Sequence, residues 1–222
     1  MKTNVYVDGF NLYYGCVKGT PYHWLDLAAL CRVALPSNTI HRIRYFTARV
    51  QDRPDDPGQA QRQQIYIRAL ETIPNLSVHY GHYLSHTMRM PLATPPVTGP
   101  RTVEVIKTEE KGSDVNIATH LLVDGFEHDY DVAVIISNDS DLLLPIEVVR
   151  KKLKLRVGIL NPQKNPSWAL KRASTFYNPI GTAMLRVSQF PSTLKDSHGT
   201  ITKPAAWRAV SAETKAPYTI CK

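Results

Sequence analysis

Short apolar runs alternate with amphipathic stretches along most of the chain. Asn4 to Val7 is a largely apolar run closed by Asp8-Gly9, which predicts a buried strand that ends in a turn and carries Asp8 at its carboxyl end. Asp26 then opens a periodic segment in which Leu27, Leu30 and Cys31 share a face, with Pro36 as its stop; this predicts a first helix. His41 to Val50 is rich in branched and aromatic residues, as a strand is. After the turn-forming stretch Arg53 to Gly58, Ile65, Ala69 and Ile73 mark one side of a helix over residues 59–73. Leu76 to Leu84 and Thr102 to Thr108 read as strands, and the proline-bearing stretch from Ser85 to Arg101 between them reads as irregular, a flap beside a cleft.

The second half repeats the alternation. Ser113 and Asp114 can cap a helix reaching about Val123. Val132 to Ile136 is uninterrupted and branched, the signature of a central strand covered on both faces. Asn138-Asp-Ser-Asp141 follows it directly and leads into a helix over residues 142–153. Leu155 to Leu160 predicts a further buried strand, Ser167 to Ala173 a helix, and Thr175 to Tyr177 a short strand. Strands alternating with helices predict an α/β chain, a three-layer α/β/α sandwich around a mainly parallel sheet, with any ligand site beyond the strands' carboxyl ends. That rule brings Asp8 and the Asp139/Asp141 pair to one rim. The expected organisation is one domain over residues 1–180, followed by a polar, proline-punctuated extension over 181–222. Phe190 and Trp207 are the residues that would dock the extension on the domain.

Composition changes this picture little and charge changes it more. Apolar residues make up 43% and charged residues 21%, which is ordinary globular usage. Lysine and arginine exceed aspartate and glutamate by 27 to 19, a net charge of +8 that favours polyanionic partners. Cys16, Cys31 and Cys221 are odd in number and widely spaced, unlike a disulfide framework or a zinc site, so a reducing cytoplasm is expected. No apolar run approaches the length of a membrane span, and no charged-then-apolar leader precedes the first strand. Walker-type phosphate loops, dinucleotide glycine fingerprints and serine elbows are absent from the sequence.

The candidate chemistry is acidic. Two carboxylates two residues apart at Asp139 and Asp141, on a rim shared with Asp8 and Asp114, repel each other unless a cation or proton compensates, and hard divalent cations take oxygen ligands. Helix capping explains one of the pair; it does not explain all four aspartates together. Asp114 taken alone is more ambiguous, since Ser113-Asp114 is also a plausible helix cap.

Val5-Tyr-Val-Asp-Gly-Phe-Asn-Leu12, Lys111-Gly-Ser-Asp-Val-Asn116 and Ile136-Ser-Asn-Asp-Ser-Asp-Leu142, in this order and spacing, resemble the three signature blocks of NYN domains, a branch of the PIN-like nuclease superfamily. The resemblance covers roughly residues 3–180. It implies a Rossmann-like sandwich whose acidic site holds Mg2+ or Mn2+ for phosphodiester hydrolysis, with RNA as the expected substrate. Carried over residue by residue, the metal-holding aspartates are Asp8, Asp114, Asp139 and Asp141. Asn11 falls near the metal or phosphate, with capping of the next segment as its other role. Ser137 and Asn138 stand where a tight turn or a phosphate contact is expected; Lys111, within the second block, is a candidate cation to contact the substrate backbone. Glu109 and Glu110 read as solvated charges more readily than as ligands.

Cations that would guide a polyanion past this centre are Arg150 to Lys154, Lys164, Lys171 and Arg172, although pairing with helix carboxyl ends accounts for Lys151, Lys152 and Lys154 equally well. Tyr13, Tyr14, Tyr22 and Trp24 read as packing before base stacking. Two alternatives stand beside the ribonuclease reading: an RNA-binding or regulatory module with a retained metal pocket, and a phosphodiesterase acting on DNA or nucleotides. A homo-oligomer, or a protein partner met through the extension, stays open.

Overall fold

The computed structural model describes residues 1–207. Six strands form one wholly parallel sheet in the order β3-β2-β1-β6-β7-β8, comprising β1 (Lys2–Asp8), β2 (Thr39–Thr47), β3 (Leu76–Tyr80), β6 (Val132–Ile136), β7 (Arg156–Asn161) and β8 (Phe176–Pro179). The order reverses between β1 and β6. Val7 pairs with Ile136 there, so Asp8 and Ser137 leave the sheet side by side.

Alternation along the central strands builds the two cores. Val5, Val7, Val132, Val134 and Ile136 face one cluster with Trp24, Leu27, Leu30 and Leu70, under α2 (Leu27–Ala34) and α3 (Gln59–Leu70). Tyr6, Ala133 and Ile135 face the other with Ile117, Leu121 and Ile146, under α4 (Ser113–Phe126), α5 (Leu143–Lys151) and α6 (Trp168–Ala173). Three α/β/α layers result, as expected.

A buried polar knot fixes α4 against the sheet. Arg44 on β2 donates through Nε and Nη2 to the two carboxylate oxygens of Asp124 at 2.8 and 2.7 Å, and the Tyr6 hydroxyl donates to the same carboxylate at 2.7 Å. A bidentate pair of this kind sets orientation more than net stability. It determines where the other end of α4, with Asp114, meets the rim. Beside it the rings of His79 and His120 lie 4.3 Å apart over Phe46.

The stretch expected to be irregular is so over residues 92–101, but its first part, Ser85 to Pro91, is strand. β4 (His82–Pro91) pairs antiparallel with β5 (Thr102–Lys111) in a separate hairpin, and only residues 92–101 connect them. Its exposed positions mix polar and apolar residues, because no core lies beneath most of its length to impose a period. Beyond residue 180, α7 (Thr182–Val187) and the hairpin β9 (Thr193–Asp196) and β10 (Gly199–Thr202) lie on the first core. Phe190 is buried against Trp24, and Trp207 stacks on His23. Arg68 on α3 holds Asp196 with two 2.6 Å bonds. Cys221 and the rest of the extension lie outside the described residues. No helix among the described residues is long and apolar enough to cross a membrane.

Candidate active site

The site is built where β1 and β6 diverge. Asp8 ends β1 and caps the short α1 (Gly9–Leu12), accepting the Asn11 amide at 2.9 Å through Oδ1. Gly9 must follow, since a Cβ there would lie 2.7 Å from the Phe46 carbonyl and the Tyr45 ring. The other oxygen of Asp8 accepts the Ser137 hydroxyl at 3.0 Å, and that hydroxyl in turn accepts the Asp139 amide at 3.1 Å. Asp139 opens a 3-10 turn over Ser140–Leu142 and accepts the Asp141 amide at 3.0 Å; α5 starts only after this turn. Ser137 is fully buried and Asp8 nearly so.

Asp114 arrives from α4. The residue preceding that helix is Gly112 at φ 103°, in the left-handed region, and it is Glu110 that accepts the Ser113 amide and hydroxyl at 3.2 and 2.9 Å. The capping duty that the sequence allowed for Ser113 and Asp114 therefore belongs to Glu110. Among the described residues Asp114 accepts no hydrogen bond, and neither does the Asp141 carboxylate.

Electrostatics identify the cluster. Burial pushes the Asp8 carboxyl upward, opposed by its bonds from Asn11 and Ser137 and reinforced by Asp139 and Glu110. Burial also pushes Asp114 up to about 6, with Asp139, Asp8, Glu110 and Asp141 each adding repulsion. Two raised carboxyls, Asp114 facing four neighbouring acids and Asp8 facing two, are the pattern expected of a functional rim.

An open, polar cleft of about 550 Å³ lies against this rim, between Asn11, Tyr14, Asn138, Asp139, Gln163 and Lys164. Asn11 Oδ1 accepts the Asn138 amide and the Gln163 side chain, each at 3.2 Å. Asn138 donates to the Asn165 carbonyl at 2.9 Å and accepts the Ser167 amide at 2.8 Å and the Tyr177 hydroxyl at 3.1 Å. These two asparagines bind the loop after β7 to the loop after β6. Behind α1 a second, mainly apolar cavity of about 350 Å³ is lined by Tyr13, His23, Tyr45, Arg62, Tyr66 and Trp207 among others.

The sequence matches the NYN domain model over residues 2–180. This chain belongs to the NYN domain family. A relative of the NYN chain in Pseudomonas putida (strain DSM 28022 / S16), named 6-hydroxy-3-succinoylpyridine 3-monooxygenase HspA, is 30% identical over 236 residues, covering 93% of this chain and 75% of that protein. A crystal structure of a protein of unknown function from Vibrio parahaemolyticus RIMD 2210633 is similar in fold, with a TM-score of 0.54 at 17% identity, over 82% of this chain and 93% of that one.

Within this NYN domain, Asp8, Asp114, Asp139 and Asp141 share one rim and one field, and Asn11, Ser137 and Asn138 are the hydrogen-bonded scaffold between them. Lys111 lies at the end of β5, where its ammonium meets Glu109 at 3.2 Å. Glu110, expected to be a solvated charge more readily than a ligand, joins the site, and so does Gln163, which the sequence does not single out. Gln163 follows the carboxyl end of β7, so the strand-end rule that found Asp8 applies to it as well; Glu110 is recognisable only once Gly112 is seen to leave the helix uncapped. Among the described residues no three His, Cys, Asp or Glu side chains come together closely enough to enclose a metal ion. The all-oxygen donor set fits a hard, largely hydrated cation with one or two direct carboxylates, as magnesium prefers, rather than a closed protein cage.

Proposed function

We propose that this NYN domain hydrolyses phosphodiester bonds of nucleic acid, RNA first, with Mg2+ or Mn2+ held at the acidic rim. The observation that carries this reading is the convergence of Asp8, Glu110, Asp114, Asp139 and Asp141 at the sheet's switch point, where the neighbouring acids add to the upward push of burial on Asp8 and Asp114, a cost that a divalent cation offsets. When bound, the ion supplies charge neutralisation at phosphorus and a more acidic water. Asp114 and Asp141, which accept no hydrogen bond from the described residues, are the carboxylates best able to take the ion or its waters. Asp8 and Asp139 complete the negative field while their bonds to Ser137 and the turn hold the rim rigid. Lys164, lining the cleft beside Asp139, attracts the phosphate that an acidic centre alone would repel.

Incubation of the purified protein with labelled RNA and DNA, with Mn2+, Mg2+ or chelator and alongside Asp139→Asn, tests this. Metal-dependent cleavage lost in the variant is expected. Cleavage that persists in chelator or in the variant would overturn the assignment, and binding of RNA without cleavage would favour a regulatory module.

The cavity behind Asp8 favours a second reading, in which the chain shares small-molecule chemistry with its Pseudomonas putida relative. Its aromatic walls suit a planar ring, Arg62, which also holds Asp56 of the same wall, suits an acidic substituent, and the buried His23 Nδ1 has no partner among the described residues. Supplying 6-hydroxy-3-succinoylpyridine with O2 and a two-electron reductant, then looking by mass spectrometry for a product carrying one added oxygen atom, tests it. Absence of product, together with no quenching of tryptophan fluorescence by the pyridine, would remove this reading.

A further inference from the structure

The basic surplus of the chain is concentrated in one layer. Residues 143–173 contain eight of the 27 lysines and arginines but one of the 19 acidic residues, so the remainder of the molecule is close to neutral. These residues form α5, β7, α6 and their connections. Between the two helices runs a cleft of about 560 Å³ whose rim carries Arg150, Lys151, Lys154 and Arg172 over a floor of Leu143, Ala169 and Ala173.

Helix-end pairing accounts for part of this charge. Arg150 donates to the Ala173 carbonyl at 2.5 Å, capping α6, and Lys151 meets Glu147 at 2.9 Å. Lys152, Lys154, Lys171 and Arg172 have no carboxylate partner among the described residues. Four unpaired cations on two short, adjacent helix ends repel one another and gain from a polyanion laid across them.

The groove connects to the acidic site through one aromatic residue. Trp168 is the first residue of α6, directly after Ser167, whose amide is fixed by Asn138 of the rim. Its ring is 67% exposed, with the Lys171 ammonium 5.0 Å from the ring centre. An exposed tryptophan carrying a cation, next to the acidic rim and to the basic groove, offers an unpaired base a face to stack on. Lys164 at the cleft supplies the cation between the two.

We propose that the α5–α6 groove is a binding track for single-stranded nucleic acid, anchored by base stacking on Trp168 and by phosphate contacts to Lys154, Lys171 and Arg172. It extends the phosphodiesterase reading, on which its purpose rests, but its test needs no catalysis. Fluorescence anisotropy of a short labelled single strand, RNA or DNA, is measured on the full chain in chelator over a range of NaCl concentrations. Lys154→Glu with Arg172→Glu is expected to weaken binding by about tenfold or more and to flatten the salt dependence by about two counterions. Trp168→Ala is expected to weaken the single strand by about fivefold or more while leaving heparin binding unchanged. Lys195→Glu, on the remote hairpin, is the control for net charge and should weaken binding less than either.

Wild-type affinity in both groove variants would overturn the proposal. So would a Trp168→Ala variant that binds normally, or preferential binding of duplex or of anionic vesicles, since either marks an unspecific basic surface. Hydrolysis of bis-p-nitrophenyl phosphate with Mn2+ reports the rim separately, because so small a diester does not reach the groove. Groove-dependent strand binding without that hydrolysis would sink the catalytic reading and leave the track standing; hydrolysis without groove dependence would do the reverse.

Discussion

Ser137 donates its hydroxyl to Asp8 Oδ2 at 3.0 Å, joining two residues 129 positions apart in the chain at the point where the parallel sheet reverses its order. The bond works against burial, which raises the Asp8 carboxyl. Ser137→Ala removes the donor and leaves a buried carboxylate less satisfied. A loss of about 1–3 kcal/mol in stability at neutral pH is expected, read from urea midpoints. If hydrolysis uses ionised Asp8, the acidic limb of the pH–rate profile moves to higher pH; an unmoved limb would mean Asp8 is not the group that limits activity there.

Asp114 offers a test of the charge cluster that does not depend on turnover. Its folded-state pKa is raised to about 6, from 3.8, chiefly by burial and then by the neighbouring acids. A carboxyl raised on folding binds more protons in the native state, so its contribution favours the fold below the unfolded value and is lost as pH rises through about 6. Asp114→Asn should therefore raise the melting temperature at pH 7.5 and leave it nearly unchanged at pH 4. Adding Mn2+ or Mg2+ should stabilise the wild type at pH 7.5 more than the variant. A variant less stable than wild type at pH 7.5 would contradict the repulsion argument.

How far this arrangement is readable from the sequence depends on burial. Val132–Ile136 is legible because a strand covered on both faces must be apolar throughout, and Asp8 and Asp139 are legible because one ends such a strand and the other closely follows one. The β4 strand over Ser85–Pro91 is not, since a solvent-exposed hairpin mixes Met88 with Arg89 and Ser85 with His86 and imposes no period. The capping role of Glu110 is hidden for a different reason: it comes from the left-handed Gly112, a backbone fact that a polar Glu-Glu-Lys stretch does not reveal. Lys111, adjacent in sequence, turns instead to Glu109. The dual use of Asn11 and Asn138 as ties between loops comes from tertiary proximity to Gln163 and Ser167, which spacing alone does not encode.

The segment after residue 180 should matter to the whole domain. Leu185, Phe190 and Ile201 are buried in the same cluster as Val5, Trp24 and Leu30, and Trp24 Nε1 donates to the Pro191 carbonyl at 2.8 Å. Phe190→Ala is expected to cost about 3–5 kcal/mol, the range for truncating a buried aromatic residue. A chain ending at Ile180 would expose Trp24 and lose the Arg68–Asp196 pair as well, so it should unfold at far lower urea or aggregate. A truncated chain with wild-type stability, measured by circular dichroism, would show that the segment covers the core without supporting it.

His79 gives the opposite pH slope from Asp114. Burial, then the His120 ring 4.3 Å away and the Arg44 guanidinium, hold its pKa down to about 4 from 6.5. A histidine whose pKa falls on folding binds fewer protons in the native state, so its contribution is present above about 6.5 and is lost as pH falls towards about 4. His120 is shifted in the same direction. Stability should therefore fall between pH 6.5 and 4 unless the pair is replaced, and His79→Gln should flatten that slope while Asp114→Asn steepens it by removing the opposing gain. Urea midpoints of the two single variants and the double variant across this range decide it. Asp114 lies in the first turn of α4 and the His79 ring meets His120 near its middle, so their effects should add; strong non-additivity would mean that α4, held at its far end by the Arg44–Asp124–Tyr6 knot, moves when either charge changes.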